Sequence, residues 1–276
     1  MANPEQGQTP DTFTQSLDAA RNLQVTNDHQ GSIAAYKALM AQYGERSEAL
    51  NGIVVSLRVT GQHTEAFADV NKAKIFSQQN YLTALANGID VLRTGHRAKD
   101  GFPGQNFNKA LEYMREAEDL MSHMPDASIA TVHAFTNFGL LHNDMGNLDL
   151  ALAAYSNAEI EARELVGKVP ANPEYQNRLA RALHTEGVTQ EKLGMIDEAE
   201  ISQDEALPIF TEQGDIRNIC NVLISKGDIA SKRADPELSR SHWEKGLRVA
   251  QENGEQTMIG IFTEKLAQLQ PPPTES

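Results

Sequence analysis

Cysteine is nearly absent from this sequence: Cys220 is the only one in 276 residues. A lone thiol cannot close an intramolecular disulfide or build a zinc site by itself, so the fold has to rest on packing. Aromatic residues are also scarce, at 6%, while alanine is frequent. That balance suits closely packed helices better than a β-sandwich. No apolar run approaches the roughly 18 residues that a membrane-spanning helix needs. The opening residues, MANPEQGQTPDTF, offer neither a basic n-region nor an apolar h-region, so no secretory signal is expected and the expected location is cytoplasmic. Basic residues are few, 24 against 38 acidic, and the net charge of −14 works against phosphate backbones and anionic membranes. Nucleic acid and membrane are therefore not expected as partners.

Catalytic signatures are missing as well. There is no HExxH, no phosphate-cradling glycine loop and no GxSxG elbow. The eight histidines, at 29, 63, 96, 123, 133, 142, 184 and 242, form no i, i+4 pair and no ligand-like cluster. His142 reads as a packed helix residue and Cys220 as a small buried hydrophobe. The acidic runs REAED (115–119) and EIEARE (159–164) read as solvated helix faces. No catalytic residue, metal or cofactor is expected, and the chain is not expected to be an enzyme.

What is present is repetition. Gly61, Ala66 and Ala73 share their spacing with Gly146, Ala151 and Ala158, and with Gly194, Ala199 and Ala206. Seven residues before the loop glycine lies another: Gly88 with Gly95, Gly139 with Gly146, Gly187 with Gly194. The same two slots hold Ala20 and Asn27, Val54 and Gly61, and Gly227 and Ala234. An aromatic or its substitute follows each loop slot, Tyr36, Tyr155 and Trp243 among them. Small residues at fixed positions let helix backbones approach, and the aromatic fills the wedge beside them. Asn172-Pro173 and Asp235-Pro236 each set a capping residue before a proline at the first helical position.

Six such units begin near Phe13, Ser47, Tyr81, Val132, Ala180 and Cys220, and the first two steps are 34 residues. The pattern resembles the tetratricopeptide repeat family, built from helix–turn–helix units of about 34 residues. The resemblance implies an all-α, right-handed α-solenoid of about six repeats. Its expected organisation is a flexible arm over 1–12, an array over 13–254, a capping helix over 255–269 and a flexible tail over 270–276. HRAKDGFPGQ (96–105) is an insertion between two helices, expected as an exposed loop with Phe102 as its one large apolar residue.

In that family the first helices of successive units line a concave face where ligands bind. Projecting one face per unit gives Arg21; Asn51, Val55 and Arg58; Leu85, Ile89 and Arg93; His133, Asn137, Leu140 and Asp144; Arg181, His184, Val188 and Lys192; Asn221, Ile224 and Lys232. The strip carries Arg or Lys in five of six units, with acid only at Glu48, Asp144, Glu191 and Asp228 nearby. It is therefore expected to accept a peptide or partner segment, possibly acidic in character. Arg58, Arg93 and Arg181 would meet its carboxylates, and Asn51, Asn137 and Asn221 its backbone, beside His133 and His184. Some co-chaperones of the family grip a C-terminal carboxylate with a Lys/Asn/Asn/Lys/Arg set. Only Asn137 and Arg181 fall in matching slots, so that activity is not expected. An interaction scaffold leads, with a signalling-peptide sensor and a self-assembling scaffold as alternatives.

Overall fold

The computed structural model describes residues 10–44, 46–72, 78–97, 99, 104–124 and 128–269. Those residues hold thirteen α-helices and no strand, and the chain divides into two compact units, Met1–Asp126 and Ala127–Ser276. Unit 1 contains α1 (Pro10–Val25), α2 (His29–Tyr43), α3 (Ser47–Thr60), α4 (His63–Lys72), α5 (Gln78–Arg93) and α6 (Phe107–Ser122). Unit 2 contains α7 (Ile129–Asp144), α8 (Leu148–Lys168), α9 (Pro173–Leu193), α10 (Ile196–Glu212), α11 (Ile216–Lys232), α12 (Pro236–Glu252) and α13 (Gln256–Ala267). Within each unit every helix packs on the next, and the odd-numbered helices also pack on one another. That is the stacking of an α-solenoid of helix pairs, in which each pair leaves an apolar stripe for its neighbour to cover.

Helix starts follow the local chemistry. Asp28, Asn106, Asp215 and Asp235 each accept from a backbone N–H of the first turn. Asn172 accepts from Glu174 and Tyr175, with Pro173 at the first helical position, so the fifth pair starts there and not at Ala180. Ser128 and Thr131 cap each other's backbone N–H reciprocally. The loop slots end the first helices in the left-handed conformation, at Gly61, Gly146 and Gly194 with φ of 85°, 80° and 82°. Asn27 and Ala234 adopt it too, at 62° and 57°, although a Cβ makes that region costly.

The third pair departs from the rule. Gly95 opens a single 3-10 turn, Gly95–Arg97, because the chain continues into the insertion. Beyond it, the Lys99 N–H donates to the Gly61 carbonyl and the Asn106 N–H to the Leu92 carbonyl. The Gln105 amide donates to the Arg93 carbonyl. These bonds tie the described ends of the insertion to α3 and α5. Phe102, Ala73, residues 1–9 and the tail 270–276 lie outside the described residues. Residues 10–12, expected in a loose arm, are helical and begin α1.

Close approach explains the glycine slot of the first helices. A Cβ on Gly139 would sit 2.4 Å from the Tyr155 ring, and one on Gly227 would sit 2.0 Å from the Trp243 ring. The aromatic thus takes the place directly over the glycine. In the α9–α10 pair Gln203 occupies the aromatic's position against Gly187. Leu165, Leu183, Phe210, Leu223, Trp243 and Phe262 belong to the core of unit 2. Burying side chains of this size is worth about 1.5–3 kcal/mol each. The segment expected to cap the array is α13, which packs on α11 and α12 and seats Phe262 over Gly246.

Candidate partner-binding faces

In unit 1 the projected face is covered along α5, whereas Asn51, Val55 and Arg58 of α3 are half-buried and Arg21 of α1 is exposed. α5 packs against α3, α4, α6 and the 3-10 turn, and it is buried over most of its surface between Leu82 and Leu92. Leu82, Leu85, Ala86 and Ile89 are each no more than 1% exposed. Leu85 and Ile89, expected on an open groove, are core residues, because their helix has neighbours on several sides. Arg58 and Arg93 converge on one carboxylate: Arg58 Nε lies 2.8 Å from Asp90 Oδ2 and Arg93 Nη2 lies 2.5 Å from Asp90 Oδ1. Asn51 Oδ1 accepts from the Asn87 amide at 3.3 Å. The polar groups expected to meet a partner thus find partners inside the unit. Asp90 is a further acid on the strip, three residues before Arg93 on the same helix face.

The first helices of unit 2 leave this face more open than α5 does. His133, Thr136, Leu140 and Asp144 of α7 recur in register as Arg181, His184, Val188 and Lys192 of α9, and as Asn221, Ile224, Asp228 and Lys232 of α11. The spacing i, i+3, i+7, i+11 puts each set on one helix face. All twelve residues are half-buried or exposed. Asn137 does not join them: it is 3% exposed, and its amide donates to the His133 carbonyl one turn back. It lies about 100° round the helix from Thr136.

His184 is held by a reciprocal pair of bonds. The Gln203 amide nitrogen donates to the His184 carbonyl, and His184 Nδ1 lies 2.8 Å from Gln203 Oε1. With that oxygen as acceptor, Nδ1 carries the proton and Nε2 is left as an acceptor. Burial depresses the imidazole pKa against the Gln203 bond, and the Arg181 charge depresses it further, so the ring stays neutral at neutral pH. Lysines along the face are anchored between helices. Lys192 donates to Asn143 at 2.9 Å, Lys232 meets Glu191 at 3.0 Å, and Lys265 of α13 meets Asp228 at 2.6 Å. The face is polar and nearly charge-balanced, with apolar Leu140, Val188 and Ile224 between the charges.

The acidic runs are less solvated than their composition suggests. Glu116 accepts from the Tyr81 hydroxyl at 2.6 Å, and Glu161 from the Thr131 hydroxyl at 2.9 Å. Glu159 is half-buried and turned toward α9, where it meets Glu186. Helix period decides which residues of such a run face a neighbour, and charge alone does not show it. Cys220 is fully buried beside the Gly246 carbonyl, and burial pushes its thiol up to about 11. Among the described residues no group of three or more His, Cys, Asp or Glu could hold a metal ion. No described helix is long and apolar enough to cross a membrane.

No known family profile and no curated protein matches the chain in sequence. Solved structures do match in fold. The Cut9–Hcn1 assembly of APC/C aligns with 94% of this chain at 16% identity and a TM-score of 0.65, and the match spans only 43% of that chain's own length. A Rap protein complexed with Competence and Sporulation Factor aligns over 96% of this chain and 77% of its own, at 13% identity and a TM-score of 0.60. TTC0263, a thermophilic TPR protein of Thermus thermophilus, aligns over 76% of this chain and 99% of its own, at 17% identity and a TM-score of 0.54. Paired helices in a fixed register, glycines under aromatic rings and these likenesses agree: the chain has the tetratricopeptide-repeat fold.

Proposed function

We propose that the chain is a non-enzymatic protein-interaction module that holds a peptide or partner segment against the first helices of unit 2. The observation that carries this reading is the stripe repeated on α7, α9 and α11, whose members stay half-buried or exposed. Leu140, Val188 and Ile224 supply apolar contact area. His133, Arg181, Asn221 and the Nε2 of His184 offer polar contacts to a polypeptide backbone. A protein of like fold that was solved with a bound factor, the Rap protein, supports a ligand-holding role for such a stack. With Lys232 and Lys265 already held by Glu191 and Asp228, affinity is expected to depend only weakly on salt. In unit 1, Arg58 and Arg93 would meet a partner's carboxylate only by giving up Asp90.

The test places a photo-crosslinking residue at Val188 and, as a control, at Leu150, which is exposed on α8. Proteins captured from a native lysate are then identified by mass spectrometry. The reading expects one partner crosslinked from position 188 and not from 150, with capture lost in Arg181→Ala, Asn221→Ala. Crosslinks from 150 alone would move the binding face to the second helices. Crosslinks to this chain's own peptides would favour self-assembly.

A further inference from the structure

Glu186 lies on the side of α9 turned to α8 and is 6% exposed. Its Oε1 accepts from the Ser156 hydroxyl at 2.7 Å and from the Gln190 amide at 3.4 Å. Its Oε2 is buried with no hydrogen-bond partner. Glu159, three residues along α8 from Ser156, faces the same carboxyl group at hydrogen-bonding range. If both groups were ionised, two negative charges would stand side by side and a buried lone pair would go unmet. One proton on Oε2, donated to Glu159, resolves both problems.

The neighbouring repeat solves the same position differently. α11 carries Lys226, forty residues on, where α9 has Glu186, and α10 carries Asp204, forty-eight residues on, where α8 has Ser156. Lys226 and Asp204 form an ion pair, which needs no shared proton. Arg163 of α8 cannot neutralise the carboxyl pair outright, because its charge is divided. Its Nε meets Glu159 at 2.6 Å, and its two terminal nitrogens hold Glu205 of α10 at 2.7 Å each. Glu159 and Arg163, both on α8, are the charges acting on Glu186; Glu205 reaches it only through Arg163, and α7 and α11 contribute none.

We propose that Glu186 and Glu159 share one proton and make the α8–α9 junction of unit 2 a pH-sensitive joint, closed while the pair is protonated and loosened when that proton leaves to solvent. Burial first, and then the hydrogen bond to Glu159, raise the Glu186 pKa to about 7 from an ordinary 4.5. A group that binds its proton more tightly when folded favours the folded state at low pH. Its contribution is fully present below about pH 4.5 and is lost as pH rises through about 7.

The experiment compares thermal unfolding of the full chain with that of Glu186→Gln between pH 5.5 and 8.5. The variant's glutamine reproduces the protonated form, since its amide can donate to Glu159 without titrating. The variant's advantage in melting temperature should be smallest at pH 5.5 and should grow by about 4 °C or more by pH 8.5. A difference that stays constant across the range would overturn the proposal, as would a variant whose advantage shrinks as pH rises. Carboxyl carbon NMR on the unaltered protein reads the same point without a variant. A glutamate titrating near neutral pH and moved to lower pH by Glu159→Gln is expected, and the absence of any glutamate titrating above about pH 5.5 would also overturn the proposal.

Discussion

Ile89 in unit 1 and Leu140 and Val188 in unit 2 occupy one register position, immediately after the first-helix glycine. Ile89 is fully buried, whereas the other two are half-buried. Three residues before that glycine the contrast repeats, with Leu85 in the core and Thr136 and His184 on a partly open face. Both units obey the same pairing rule, yet this face is covered on α5 and left partly accessible on α7 and α9, as it is at Asn51 and Val55 of α3. Register therefore specifies which helices pair, while side-chain size and polarity along the odd helices track what is covered. α5 carries leucine and isoleucine where α7 carries threonine and leucine and α9 carries histidine and valine. Exposing large apolar side chains would forfeit about 25 cal/mol per Å².

The sharpest way to break the shared rule is Gly139→Leu. A branched side chain there meets the Tyr155 ring, and overpacking of about 1–3 kcal/mol is compounded by displacement of the helix backbone. A loss of about 3 kcal/mol or more is expected, with hydrogen-exchange protection falling first in α7 and α8. An unchanged melting temperature would mean that the glycine slot is not the point of helix contact. The contrast between α5 and the first helices of unit 2 is tested next by truncating paired positions. Ile89→Ala should cost about 2–4 kcal/mol and Val188→Ala less than about 1 kcal/mol in denaturant titrations. Equal costs would erase the distinction between a covered and an open face.

The electrostatic side of the comparison rests on Asp90. Asp90→Ala leaves two partly buried guanidinium groups without their shared carboxylate, and a loss of about 1–3 kcal/mol is expected. Arg181→Ala on the more open face of unit 2 should change stability by no more than about 0.5 kcal/mol while weakening partner capture. The smallest effect concerns the loop slot. Ala234→Gly relieves a left-handed alanine and should stabilise the protein by about 0.5–1 kcal/mol, raising the melting temperature by a few degrees. A neutral or destabilising outcome would show that the slot's geometry imposes no strain there.

The helical repeats, their glycine and alanine register, and the starts at Pro173 and Pro236 could be read from the sequence alone. They depend on neighbours within a few residues: a capping side chain, a fixed proline φ, a missing Cβ. Cys220 as a buried residue was legible for a similar reason, since it falls on the apolar face of a periodic helix. Only the tertiary structure decided which faces are covered, because burial depends on elements far apart in sequence. Leu85 and Ile89 looked like groove residues until α3, α4 and α6 were seen around α5. Arg58 and Arg93 looked like groove charges until Asp90 was found between them. Glu159 looked solvated until α9 brought Glu186 beside it. Local geometry is written in short spacings, whereas the partner of a charge and the dielectric around it are set by packing, which no short spacing encodes.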